Sequence, residues 1–227
     1  MRLFVVGFPK SGTSTITTAL ESAGMNPVHW GDGEGRFVGQ LIYEDALAGR
    51  DPLGRLTDYD SVTQADVCMP AHRINFWPNL DFAILGRIRE YHPECLFLLN
   101  YREPAKVCSS IDRWPSLRER IVRAAIPGLP SRMGEKDEEI IHWIENHYAA
   151  CRHYFAGDPK FLELDIESDD APKVLGAALG ITIEEWGIIE PNVPAPEDIA
   201  LMTGAKGITG VMKAGPAASV RRRRLPE

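Results

Sequence analysis

Residues 2–16, RLFVVGFPKSGTSTI, decide the fold of this 227-residue chain. The opening run is almost entirely apolar, which predicts a strand over 2–6 that is buried on both faces of a parallel sheet. A polar turn with Gly7 and Gly12 follows, and helix-forming residues then run over 13–23. A strand, a glycine turn and a helix start in this order bring backbone amides and the helix dipole to one point. The stretch therefore predicts an anion-binding loop.

The position of its lysine separates this turn from the Walker A loop of ATPases. That loop reads GxxxxGK[ST], with the lysine directly after the second glycine, whereas here Thr13 takes that place and the lysine is Lys10. Gly12 still lets the backbone pass close to an anion. A purely structural turn is the alternative, but the number of donors exceeds what a turn requires. Those donors are the amides and hydroxyls of Ser11, Thr13, Ser14 and Thr15.

Strands and helices alternate along the rest of the chain, which predicts an α/β fold with a central parallel sheet and right-handed crossovers. Ligands of such sheets bind outside the carboxyl ends of the strands. We therefore expect the turns that follow the two most apolar strands, 2–6 and 95–100, to share one crevice. The other predicted strands are 26–29, 61–67 and 160–165, and the other predicted helices are 36–48, 80–91, one beginning at 104, 137–155 and 171–179.

Length and charge limit the organisation and the partners. A chain of this size can bury one large core, so we expect a single domain over 1–215 and a basic, flexible tail over 216–227. Arg221–Arg224 in that tail indicate a solvated end or, as the alternative, contact with an anionic partner. The formal net charge of −7 argues against general nucleic-acid binding. The sequence assigns no oligomeric state.

Several absences predict a cytoplasmic protein. No apolar run approaches the ~20 residues that span a bilayer, and the first residues have the pattern of a core strand, not of a signal peptide. The four cysteines lack CxxC spacing, so we expect them to be reduced and buried. His142, His147 and His153 do not share a helix face, so we expect surface or interface histidines and no metal site.

Two motifs carry a resemblance to a known family. PKSGTS, residues 9–14, resembles the PKSGTT loop with which sulfotransferases bind the 5′-phosphosulfate of 3′-phosphoadenosine 5′-phosphosulfate (PAPS). The family's second signature is an arginine at the end of a central strand and a serine eight residues later. In LLNYREPAKVCSSIDRW these are Arg102 and Ser110, whereas Ser109 faces elsewhere on a helix. The resemblance implies a three-layer sandwich with a P-loop NTPase-like (sulfotransferase) fold.

A third motif is weaker. AKGITGVMK is similar to the RKGxxGxxK loop that covers the 3′-phosphate in cytosolic sulfotransferases, and it adds Lys206 and Gly207 to the donor site. Ala205 replaces the arginine of that loop. Thr15 stands where cytosolic members often have a tryptophan that stacks on adenine, so the adenine contacts are unassigned.

The resemblance also implies roles. Lys10 would stabilise the bridging oxygen while the amides of residues 11–15 hold the 5′-phosphate, and Arg102 and Ser110 would bind the 3′-phosphate. The product would be adenosine 3′,5′-bisphosphate (PAP), and no metal would be required. Asp66, within SVTQADVCMPAH, is the first candidate for the general base, with a capping or turn aspartate as the alternative. His72 and His29 are further candidates.

The acceptor is the least defined part. We expect a hydroxyl or an amine on a small molecule or glycan, recognised by residues 30–60 and 114–135. Trp30, Trp77 and Trp114 could line its pocket, with core packing as the alternative for each.

Two other functions stay open. The first is a P-loop nucleotide kinase or NTPase, against which Thr13 in the lysine position and Asn100 in the Walker B position argue. The second is a non-catalytic nucleotide-binding relative that keeps the anion site and lacks transfer activity.

Overall fold

A central sheet of five parallel strands organises residues 1–187, the part of the chain that the computed structural model describes. The seven strands are β1 (Leu3–Val5), β2 (Pro27–His29), β3 (Ser61–Gln64), β4 (Val67–Met69), β5 (Ile74–Phe76), β6 (Leu96–Tyr101) and β7 (Phe161–Asp165). The central sheet has the order β2-β3-β1-β6-β7, and β4 and β5 form a separate antiparallel pair. β1 lies between β3 and β6, with Leu3 opposite Ser61 on one side and Leu96 on the other.

In the described part of the chain, seven α-helices accompany the strands: α1 (Thr13–Ser22), α2 (Val38–Leu47), α3 (Phe82–Tyr91), α4 (Pro104–Arg113), α5 (Leu117–Arg123), α6 (Asp137–Tyr154) and α7 (Ala171–Leu179). Side-chain caps fix two of their starts. Asp81 accepts hydrogen bonds from two amides of the first turn of α3, and Glu103 does the same for α4. Pro104 then suits the first turn of α4, where its missing amide proton costs nothing.

The central strand β1 is buried on both faces, because its alternating side chains enter two cores on opposite sides of the sheet. Leu3 and Val5 of β1 point into a core formed with α1 and α7. Phe4, between them, points into the larger core on the opposite face, which includes residues of α2, α3, α4 and α6. Helices thus flank the five parallel strands on both sides, as in a three-layer α/β sandwich. The predicted α/β class and parallel sheet are confirmed.

The predicted strand over 61–67 is wrong as a single element. β3 ends at Gln64, and β4 begins at Val67 in a different sheet, because it pairs with β5. Between them the Ala65 carbonyl packs against α2, where a Cβ built on Gly39 would lie 2.3 Å from it. No glycine or proline marks this break, so the sequence does not reveal it. The pair β4–β5 and helix α5 are absent from the predicted elements.

The predictions for the cysteines are confirmed, and those for the histidines are confirmed only in part. Cys68, Cys95, Cys108 and Cys151 are free and buried, as predicted. His142 and His153 are exposed, but the surface prediction for His147 is wrong: it is 7% exposed and its Nε2 lies 2.7 Å from the Val6 carbonyl oxygen. It follows the buried Ile144 on the apolar face of α6. None of the helices within residues 1–187 is long and apolar enough to cross a membrane.

Candidate anion-binding site

The loop between β1 and α1, residues 7–12 (the anion loop), has the backbone of an anion cradle. Lys10 and Gly12 adopt left-handed conformations with φ of 69° and 82°. Gly12 is the residue before α1 and provides no side-chain cap. The first amides of α1 have no acceptor within the helix, so they are available to a ligand at its positive end. A Cβ on Gly12 would also lie 2.7 Å from Ile166 Cδ1, which makes glycine doubly necessary there.

Two asparagine side chains hold the anion loop, one from β6 and one from the 3-10 turn Pro78–Leu80. Asn100 Nδ2 donates a 2.8 Å hydrogen bond to the Ser11 carbonyl oxygen, and Asn79 Nδ2 donates one of the same length to the carbonyl oxygen of Gly7. A Cβ on Gly7 would lie 2.0 Å from Asn100 Oδ1. The anion loop is therefore in direct contact with β6, and these hydrogen bonds hold the loop conformation.

Most hydroxyls of this region serve the protein. The Ser11 hydroxyl is buried and donates to the Phe8 carbonyl oxygen at 2.7 Å. Thr13 Oγ1 donates to Gln64 Oε1 and Thr15 Oγ1 to the Gly187 carbonyl oxygen. Ser14 is exposed. Three of these four hydroxyls therefore have partners within the protein. The amides are the better candidates for binding, and a role for the hydroxyls stays a prediction.

Lys10 and Arg102 meet at the rim of the loop. Arg102 Nη1 donates to the Lys10 carbonyl oxygen at 3.0 Å, and the Lys10 ammonium lies 3.7 Å from the ring centroid of Trp114. Burial, together with the positive charges of Arg102 and Arg113, lowers the pKa of Lys10 to about 8. The ammonium is still mostly protonated at pH 7. The positive charges of Lys10, Arg102 and Arg113 lie close together, and such a cluster favours the binding of an anionic ligand.

An open pocket of ≈ 260 Å³ lies beside this rim. It is called the basic pocket below, and its lining residues are Arg102, Glu103, Ala105, Lys106, Ser109 and Arg113. Ser109, not Ser110, belongs to the lining, and its Oγ accepts a 2.7 Å hydrogen bond from Arg113 Nη1. Ser110 is half-buried one position further along α4. Its role as a phosphate ligand stays a prediction.

Glu167 connects two cations of the basic pocket. Its carboxylate lies 3.1 Å from Arg102 Nε and 2.6 Å from Lys106 Nζ. The Lys106 ammonium and the Arg102 guanidinium lower the pKa of Glu167 below its ordinary value. Sequence reasoning missed this residue, because the two ion pairs depend on how the turn after β7 meets α4.

Asp66 lies in the break between β3 and β4 and is 5% exposed. Gln64 Nε2 donates to Asp66 Oδ2 at 3.2 Å, and Gln64 Oε1 accepts from Thr13 Oγ1 at 3.0 Å. A chain of two hydrogen bonds thus joins the carboxylate to the start of α1. Burial raises the pKa of Asp66 to about 7, which suits proton transfer near neutral pH. Gln64 is a second residue that sequence reasoning missed.

The two histidine candidates lie in different places. His29 ends β2, and its Nδ1 lies 3.0 Å from Thr17 Oγ1 and 3.1 Å from Thr63 Oγ1. Burial and the nearby Lys10 ammonium lower its pKa to about 4, so it is neutral at pH 7. His72 is in the 3-10 turn Pro70–His72 between β4 and β5. Because the charge of Lys10 affects its pKa, His29 is the histidine candidate that lies near the anion loop.

We predict that Asp66 makes stability depend on pH. Its folded pKa of about 7 exceeds the value of about 3.9 in an unfolded chain. The folded protein therefore keeps a proton that the unfolded chain releases, and stability falls as the pH rises from about 4 to 7.

Asp66→Asn should raise the free energy of unfolding by about 2–4 kcal/mol at pH 8, and by much less at pH 4. Urea unfolding of both proteins at these two pH values measures the difference. An equal gain at both would mean that Asp66 titrates normally.

One cluster has the residue types of a metal site. Cys108, Asp112 and Asp137 have ligand atoms close together. However, Arg118 Nη2 hydrogen-bonds to all three, at 3.0, 2.9 and 2.9 Å. A guanidinium therefore already occupies the position between these ligand atoms and offsets one of the two carboxylate charges, and the cluster carries no metal proposal. The absence of a metal requirement stays a prediction.

The remaining predicted residues divide as follows. Trp77 is 2% exposed and belongs to the core. Trp30 packs edge-on against Phe37, and Trp114 lies under Lys10. Lys206, Gly207 and the arginines at 221–224 lie outside the described residues.

No protein-family model matches the chain, and no curated protein matches it.

Proposed function

We propose that this protein is a sulfotransferase that moves a sulfonate group from PAPS to a hydroxyl or amine. The observation that carries the proposal is the hydrogen bond from Arg102 to the Lys10 carbonyl oxygen. It joins two motifs that are 92 residues apart and that resemble the two phosphate-binding signatures of one family. Both lie at the carboxyl ends of adjacent strands, where ligands of parallel sheets bind.

In this reaction the protein contributes mainly by placing positive charge and hydrogen-bond donors around the donor, and it forms no covalent bond to the sulfonate. The acceptor atom forms a bond to sulfur while the bond from sulfur to the bridging oxygen breaks, and PAP leaves with the bonding electron pair. In this proposal the Lys10 ammonium stabilises the charge that develops on that oxygen. The amides at the start of α1 hold the 5′-phosphate, and Arg102 binds the 3′-phosphate as a planar fork.

The acceptor also loses a proton, for which Asp66 is the proposed base. Its raised pKa gives it proton affinity near neutral pH, and the hydrogen bonds through Gln64 connect it to Thr13 at the start of α1. His29 is the second candidate, because it is neutral at pH 7 and lies close enough to Lys10 for that charge to lower its pKa. His72 is the third.

Asn100 supports this proposal over a kinase or NTPase. It occupies the position in which a carboxylate would help to hold Mg²⁺, and its amide nitrogen is already used to fix the anion loop through Ser11. An asparagine in this structural role offers no charge to a divalent metal.

Calorimetry with two ligands tests the proposal. PAP should bind in the presence of EDTA, with an affinity that magnesium does not improve, and ATP with magnesium should bind much more weakly. A preference for ATP with magnesium would favour the kinase or NTPase alternative. Release of PAP from PAPS separates an enzyme from a non-catalytic relative, which would bind PAP without turning PAPS over.

A further inference from the structure

The carboxylate of Glu167 lies where the basic pocket should receive an anion. It contacts Arg102 at 3.1 Å and Lys106 at 2.6 Å, and both residues line the pocket. Glu103, the acidic residue of the lining itself, is directed elsewhere, because its carboxylate accepts from the amides of Ala105 and Lys106 at the start of α4. Glu167 therefore has the position of a bound anion.

We propose that Glu167 is an internal competitor for the phosphate monoester that binds the basic pocket, and that the ligand displaces its carboxylate from Arg102 and Lys106. The inference rests on the proposed function, in which this pocket takes the 3′-phosphate. It adds a residue that determines which anions the pocket accepts.

Displacement is compatible with how Arg102 is held. Its Nη1 keeps the hydrogen bond to the Lys10 carbonyl oxygen, and its own carbonyl oxygen accepts from the Tyr148 hydroxyl at 3.2 Å. The guanidinium thus stays anchored when Glu167 leaves. Glu167 is also accessible, since its side chain is 37% exposed. A carboxylate at such a position can turn into solvent at little cost.

The charges explain what the competition selects. A phosphate monoester carries about −1.5 to −2 at pH 7 and offers three acceptor oxygens, whereas Glu167 carries a single negative charge. The dianion therefore gains more from Arg102 and Lys106 than the carboxylate loses. An anion with one charge has no such advantage and should be rejected.

The test compares Glu167→Gln with Glu163→Gln, which changes the net charge equally. Glu163 is also on the β7 side of the sheet but pairs with Arg152, at 2.6 Å, instead of with the pocket. Calorimetric titration of the wild type and both variants would use PAP and, separately, inorganic phosphate. Glu167→Gln should tighten PAP binding about three- to tenfold relative to both other proteins. Inorganic phosphate should show the same order.

Each other result has a definite meaning. Equal binding by Glu167→Gln would overturn the inference. Weaker binding would also overturn it and would make Glu167 a residue that orients Arg102. Equal tightening in Glu163→Gln would also overturn it, because the gain would then reflect net charge alone. If PAP binds none of the proteins but Glu167→Gln binds inorganic phosphate more tightly, the inference holds and the proposed function fails. If neither ligand binds any protein, both fail.

Discussion

Lys10→Ala should reduce the turnover of PAPS about 100- to 1000-fold while PAP binding weakens only modestly. The ammonium is proposed to act on an oxygen whose charge grows as the bond to sulfur breaks, so its removal costs more in the transition state than in the bound product. The backbone contact with Arg102 uses the Lys10 carbonyl oxygen and is retained in the variant. The left-handed backbone at this position is no more strained with alanine than with lysine.

The assay for Lys10→Ala does not require the acceptor. Slow release of PAP from PAPS, with water as the acceptor, is measured for the wild type and the variant, and calorimetry gives the PAP affinity of each. Lys160→Ala is the control, since Lys160 pairs with Glu94 at 2.9 Å away from the anion loop. Similar small losses of turnover and affinity would contradict the role assigned to Lys10.

Arg102→Ala should weaken PAP binding about 10- to 100-fold, because a charged hydrogen-bonding partner of the phosphate is lost. Its effect on turnover at saturating PAPS should be smaller, since the 3′-phosphate lies away from the breaking bond. Arg102→Lys should restore only part of the affinity, because an ammonium keeps the charge but not the planar fork.

The comparison for Arg102→Ala is Arg152→Ala, which removes the same charge from an exposed pair with Glu163. Calorimetry at two salt concentrations separates general charge effects from a specific contact, because general effects are screened by salt. If Arg152→Ala weakens PAP binding as much as Arg102→Ala does, the site does not include Arg102.

The sequence predicted the features that depend on local pattern. The apolar runs at 2–6 and 95–100 correspond to β1 and β6, which are adjacent and parallel. Because carboxyl ends of parallel strands meet at one edge, the proximity of the two turns that carry Lys10 and Arg102 also followed from the pattern. Pro104 likewise indicates a helix start from residue type alone.

Features that depend on long-range geometry were not predictable in this way. β4 leaves the central sheet because it pairs with β5, and nothing in the residues near Asp66 indicates that partner. His147 is buried because α6 packs against the end of β1, although histidine by itself suggests a surface position. The ion pairs of Glu167 and the hydrogen bond between Thr13 and Gln64 each join segments that are distant in sequence.

The contact between Gly7 and Asn100 has a consequence for the history of this chain. Because a Cβ on Gly7 would lie 2.0 Å from Asn100 Oδ1, positions 7 and 100 share one small volume and cannot vary independently. A homologue with alanine or serine at the first position needs a shorter or reoriented side chain at the second. Distant descendants of a common ancestor should therefore show the two positions changing together, and this pair can serve as a marker when the lineage is traced.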